Sequence, residues 1–370
     1  MMFANLNREG PQVVESQERE ILRVKKPHFV EFVYLRAVAI ILVVLGHSIF
    51  SVEDEFPIMI ENITKGATAI FVFISGYFLH AAFYIKFKYV SFIKKKVKNI
   101  LFPFYFVSAI TIVILLIGLA LFKNHNEAAK SIEISVFLSR GFILYPHWYV
   151  RFIMVVFLLS PLYIKFVDVG PRGKIVILLF SSLISSLIHR PLGDIDVLQS
   201  VIYFTPYYLF GIYFSIYKDW FYRNNRLVFW VSIVGFFLCV ITQAFVFPHA
   251  GNYHKGAFTY AGIDLMFFQK AFLCVMLIEI CKWFARRYKP IRLLSVLADA
   301  SFAIYFIHFL FTGGFGYFFS RWLSGSTDHA LIISLLATLL IFSFSISISF
   351  AVAKTFKSMV GDRSGLLIGW

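Results

Sequence analysis

Three hundred and seventy residues that are 59% hydrophobic, 19% aromatic and only 15% charged do not describe a water-soluble chain, for which about 25% charged residues is usual. The mean hydropathy of +0.78 and the 46 Phe exclude a disordered segment, a secreted disulfide scaffold and a cytosolic enzyme, and leave a polytopic membrane protein. The excess of 35 Lys and Arg over 20 Asp and Glu then reads as basic loops on one side of a bilayer rather than as a nucleic-acid surface.

Residues 1–31 are polar and lack the apolar core of a signal peptide, so a cytoplasmic tail is expected there. Apolar stretches of spanning length follow at 32–51, 66–85, 100–122, 147–167, 174–189, 199–217, 227–247, 263–284, 297–319 and 330–353. Backbone groups in lipid must be satisfied internally, so the fold class is all-α. The expected architecture is a bundle of about ten transmembrane helices over 32–353, with a second cytoplasmic tail over 354–370. The fifth stretch is short and serine-rich, and its limits are the least defined. With the N-terminus inside, the cytoplasmic segments hold 25 Lys and Arg and the opposite loops hold 7, which places both termini in the cytoplasm. Cys239, Cys274 and Cys281 all fall in apolar stretches without metal-ligand spacing, so no disulfide and no metal site is expected.

Ionisable residues inside such stretches are costly and therefore candidates for function. In the first, Arg36 and His47 are eleven residues apart, which puts them on one helical face about 16 Å apart along the axis. A snorkelling arginine and an unrelated packed histidine are the plain alternative. Ser75-Gly76 in the second stretch is a substrate contact or a small-residue packing notch. Lys94, Lys95, Lys96 and Lys98 precede the third; they suit the phosphates of an anionic cofactor or simply attract anionic lipid. His147-Trp148 opens the fourth as a belt pair or a binding pair, with Arg151 one turn deeper. Ser301, Tyr305 and His308 share one face of the ninth, as a hydrogen-bond seam or as a site. Asp264, Lys270 and Glu279 are further charges in the eighth, whose partners the sequence leaves open.

Five of these segments, in order, resemble the motifs of acyltransferase family three, the bacterial multispanning membrane O-acyltransferases acting on carbohydrates. Leu35-Arg36, Ala39, Val43 and His47 are similar to its L-R-x-x-A-x-x-x-V-x-x-x-H signature. Phe71-Val72-Phe73-Ile74-Ser75-Gly76-Tyr77 resembles its F-F-x-x-S-G segment, and His147-Trp148-Tyr149 its H-W-[FY] segment. Tyr208-Leu209-Phe210-Gly211-Ile212 looks like its F-x-x-G motif, and Ser301 to His308 its S-x-x-[IL]-Y-x-x-H. Before Pro103 the family commonly has paired arginines where this chain has Lys96 and Lys98. Lysine is a point charge rather than a fork for phosphate.

The resemblance implies transfer of an acyl group, most often acetyl, from acetyl-CoA or another acyl-CoA to a hydroxyl of a cell-surface or exported glycan. The expected setting is the bacterial inner membrane. An imidazole is a suitable general base near neutral pH, so His47 is the expected base and Arg36 the group that orients the donor. Lys94, Lys95, Lys96 and Lys98 would meet the CoA phosphates. His147, Trp148, Arg151, Ser75, Tyr305 and His308 would hold the acceptor or the developing oxyanion. The implied partners are the acyl-CoA donor, a carbohydrate acceptor (free or lipid-linked), membrane lipid, and proteins of polysaccharide biosynthesis or export; no metal and no nucleic acid are implied. No appended esterase-like domain is expected. A transporter or flippase for a lipid-linked saccharide is the rival, with Arg151, Asp264 and Lys270 as its contacts, and an accessory scaffold in an export complex is a third class. Neither inverted-repeat symmetry nor paired Gly/Pro-broken helices support the transporter.

Overall fold

The computed structural model describes residues 29–121, 141–288, 291–323 and 329–370; most of the expected N-terminal tail lies outside them. The first half comprises α1 (Val30–Ser48), α2 (Ile58–Thr64), α3 (Thr68–Phe78), α4 (Tyr89–Lys96), α5 (Phe102–Leu121), α6 (Trp148–Leu158) and α7 (Ser160–Asp168). The second comprises α8 (Pro171–Ile188), α9 (Val197–Ile216), α10 (Asn225–Ile241), α11 (Leu265–Arg287), α12 (Arg292–Asp299), α13 (Ser301–Trp322) and α14 (Ala330–Val360), with the short turn Lys218–Arg223 between α9 and α10.

Each of the ten expected stretches has its helix. Seven helical runs among the described residues are long and apolar enough to cross a membrane: Val30–Ser48, Ile58–Lys86, Tyr89–Ile117, Pro171–Ile188, Asn225–Val246, Ser301–Trp322 and Ala330–Leu367. The pair α6 and α7, bent by 53°, makes an eighth if it is one span. Pro161, second in α7, lacks the N–H that the Phe157 carbonyl would need, which accounts for the bend. The remaining two, α9 and α11, have the length but carry buried polar side chains, Gln199 in one and Gln269, Lys270, Glu279 and Lys282 in the other.

The first helix is central, packed against α3, α11, α12, α13 and α14, with Leu35, Ala39, Ile40 and Val44 fully enclosed. The tightest approach is between α3 and α9. A Cβ added at Gly76 would lie 2.0 Å from the Tyr208 carbonyl oxygen, and one at Gly211 2.1 Å from that of Phe73. The two backbones therefore touch, as small residues permit where apolar driving force between helices is weak. Pro206 inside α9 leaves the Ile202 carbonyl without its helical donor. The Ser185 hydroxyl of α8 supplies it instead, at 2.9 Å. Beyond α1 the extended chain is satisfied in the same way, Phe50 and Val52 donating from their backbones to Thr338 and Ser334 of α14.

Candidate functional site

At the His47 end of the bundle the loops and helix tips enclose a polar cavity of about 300 Å³. The first helix contributes Val43, Gly46 and His47, and the α2–α3 corner contributes Lys65 and Thr68. Tyr145 and Trp148 come from the corner before α6, Arg190 from the turn after α8, and Asn252 and His254 from the loop ahead of α11. Four chain segments besides α1 thus line the cavity that holds the His47 imidazole.

The loop ahead of α11 is held by side-chain amides. Asn62 accepts from the Gly251 backbone at 2.7 Å and donates to His249 O, while Gln243 donates to Gly251 O and His249 O. Gln199 ties Lys255 O to Ile188 O at the end of α8. The same logic explains the charges in α11. Asp264 caps that helix, accepting from the Phe267 backbone at 2.9 Å and from the Tyr203 hydroxyl at 2.8 Å. Lys270 donates to Asn62 O at 2.8 Å and Ile63 O at 3.0 Å, a cation on the last carbonyls of α2. Glu279 pairs with Lys282 at 2.6 Å. Two of the three residues on which a transporter would rely are therefore engaged in holding helices.

Arg190 forks Asp194 through two hydrogen bonds, of 2.8 and 3.2 Å, and lies over the Trp148 ring at 4.8 Å. Tyr145 donates to the same carboxylate at 2.7 Å. His254, in the loop, donates from Nδ1 to the Pro191 carbonyl at 2.8 Å. Burial and the neighbouring Arg190 guanidinium hold its ring below the usual imidazole value, so it is neutral near pH 7 with Nε2 left as an acceptor. Arg190, Asp194, Lys65, Asn252 and His254 were not singled out from sequence. Only the Arg190–Asp194 spacing of four was there to be noticed.

The motif residues gather behind His47. The Tyr305 hydroxyl donates to the Pro146 carbonyl, and His147 Nε2 donates to Phe306 O at 3.0 Å. This reciprocal pair clamps α13 to the start of α6 and brings the His308 ring to 5.4 Å from that of His47, centre to centre. His308 Nδ1 donates to Tyr305 O at 2.8 Å and contacts Ile304 O at 3.1 Å, so its buried Nε2 can only accept. His147 is fully buried and is not among the residues lining the cavity. It braces the wall rather than forming an exposed belt position. Ser75 hydrogen-bonds the Tyr149 hydroxyl, beside the cavity floor. Arg151 packs under the Gly141–Phe142 turn, its guanidinium 6.0 Å from the Phe142 ring.

Arg36, on the same helix as His47, sits 3.6 Å from Asp299 at the tip of α12, with its Nε buried and unpartnered. Val43 and Thr68 are shared between the cavity and a void of about 10 Å³ beneath it, which Phe71, Tyr149, Phe302 and Tyr305 also line. The lysines divide: Lys94, Lys95 and Lys98 are exposed, whereas the Lys96 ammonium lies over the rings of Phe157, Phe92 and Phe83 at 4.3 to 5.6 Å. Residues 29–354 match a family model described as an acyltransferase domain. No curated protein and no solved structure matches the chain.

Proposed function

The chain belongs to acyltransferase family three, whose match covers nearly all of it, and from that premise we propose an O-acyltransferase that moves an acetyl group from acetyl-CoA to a glycan hydroxyl in a bacterial inner membrane. The observation that carries this reading is the place of His47. It is an imidazole in the wall of a polar cavity large enough for part of a sugar. Arg36 stands three turns away on the same helix.

In this reading the sugar occupies the cavity and the acyl-CoA comes from the Arg36 end. His47 takes the hydroxyl proton as the sugar oxygen attacks the thioester carbonyl. The C–O bond forms, the C–S bond breaks, and the proton passes to the departing CoA sulfur. Arg36 orients the donor, and the exposed Lys94, Lys95 and Lys98 lend a positive surface for its phosphates. Lys96 contributes through its aromatic cage to the position of α4. The His254 Nε2 and the Asn252 amide are suited to sugar hydroxyls, and Trp148 and Arg190 to the ring face. His147, Tyr305 and Ser75 position the wall. Phe71, Tyr149, Phe302 and Tyr305 must give way for the thioester to reach His47.

The test uses membranes in which this is the added protein, labelled acetyl-CoA and an acceptor glycan, with acetylated glycan read by mass spectrometry. His47→Ala should lower transfer by about a hundredfold or more while the protein remains in the membrane. Undiminished transfer in that variant overturns the base assignment. Glycan translocated without consumption of acyl-CoA would favour the transporter instead.

A further inference from the structure

A second cavity lies at the opposite end of the bundle, outside the site just described. Where α10 begins and α11 ends, the two helices leave a groove of about 740 Å³. Arg226 lines it from α10, and Lys282, Arg286 and Arg287 line it from α11. Its one carboxylate among the described residues, Glu279, is held by Lys282 at 2.6 Å. Glu279 also interacts with Arg286, so among the described residues Arg226 and Arg287 are the groove cations left without an anion. Glu31 is engaged elsewhere, accepting from the Tyr222 hydroxyl at 2.7 Å.

The setting of these charges points to a particular ligand. Arg226, Arg286 and Arg287 are exposed, and the Arg287 guanidinium sits 5.7 Å from the Trp283 ring. Trp283 is itself 49% exposed, an amphipathic ring at a helix end as found where headgroups meet hydrocarbon. One turn further along α10, Trp230, Val231 and Val234 present an exposed apolar face. In a span this is the face that meets acyl chains. A cationic groove one helical turn from such a face fits a molecule with a phosphate head and apolar tails.

We propose that this groove binds the phosphate headgroup of an anionic phospholipid, with Arg226, Arg286 and Arg287 on the phosphate and the tails along α10. Trp230, one turn from the groove-lining Arg226 on α10, begins that apolar face, which favours a lipid over the phosphates of a soluble donor.

Purified protein is titrated in nanodiscs of phosphatidylethanolamine with increasing phosphatidylglycerol, and bound lipid is counted by native mass spectrometry after release. Each basic group near an anionic headgroup contributes about fivefold in affinity, so the double variant R226A/R287A should retain phosphatidylglycerol about thirtyfold less tightly. Removing two exposed lysines elsewhere, K86A/K88A, should leave retention unchanged. Equal loss in both variants, or unchanged retention in R226A/R287A, overturns the proposal. CoA alone is added in a further arm; displacement of the lipid by CoA would reassign the groove to the donor's phosphates. The readout needs no acyl transfer, so its outcome is independent of the activity proposed above.

Discussion

The contact between α3 and α9 allows a sharp test, because two glycines close it from both sides. A methyl group at Gly76 meets the Tyr208 carbonyl oxygen at 2.0 Å, and one at Gly211 meets the Phe73 oxygen at 2.1 Å and the Tyr77 nitrogen at 2.7 Å. Real Cβ atoms essentially never come within 3.0 Å of such atoms, so either alanine forces the helices apart by about 1 Å. Both obstructing atoms are backbone, and no rotamer change relieves them. Overpacking of this kind costs about 1–3 kcal/mol, and rigid backbone on both sides argues for the upper part of that range. The same separation relieves both clashes. Gly76→Ala/Gly211→Ala should therefore cost little more than the worse single variant, a coupling of about 1 kcal/mol or more. The assay is denaturation of detergent-purified protein followed by tryptophan fluorescence, for wild type, both single variants and the double. Strictly additive losses would show that each glycine meets an independent obstacle, and would refute the shared-separation argument.

Lys270→Met strips the ammonium from the Asn62 and Ile63 carbonyls; about 1–3 kcal/mol of stability should be lost, read as a lower Tm. His254 has its pKa lowered on folding, so the unfolded chain takes the proton first and acidification below about pH 6.5 should destabilise the protein. His254→Asn should shrink the Tm difference between pH 7.5 and 5.5, and an unchanged difference would place the titration elsewhere. His308→Ala should lower turnover by at least about tenfold with a smaller effect on Tm, because its ring lies 5.4 Å from that of His47; turnover that merely tracks Tm would leave His308 a packing residue.

Most of the long helices were legible because each is a largely apolar run of spanning length, although α9 and α11 carry buried polar side chains within theirs. The Arg36–His47 stack was legible for a similar reason: eleven residues bring a helix back to the same face. What lay beyond reading was the partner of each interior polar group. Asp264 and Lys270 look alike in sequence as isolated charges in an apolar run, yet one caps its own helix and the other closes a different one. Ser75-Gly76 and the Gly211 segment were visible as separate motifs. That they are each other's packing partners depends on α3 meeting α9, which no local periodicity encodes. The turn after α8 was harder still, since Arg190 entered only as a loop charge, and its fork to Asp194 becomes part of a site only when α1 and the loop ahead of α11 close around it.

Buried polar groups in this bundle divide into those matched by protein atoms and those without a protein partner. Leaving a buried donor or acceptor unpaired costs about 1–3 kcal/mol, and the carbonyl that Pro206 frees is one group spared that cost, by a serine hydroxyl. Fourteen buried side-chain nitrogen and oxygen atoms among the described residues have no hydrogen bond to protein, Arg36 Nε, His147 Nδ1 and His308 Nε2 among them. Five of the fourteen belong to the motif segments, at Arg36, His147, Tyr208, Ser301 and His308. Packing alone would have favoured apolar residues there, because an apolar side chain of similar volume leaves nothing unpaired. A group whose partner arrives only with substrate carries that cost in the resting protein and recovers it on binding. Lys270 and Asp264, whose hydrogen bonds go to protein atoms, have less to gain from a ligand.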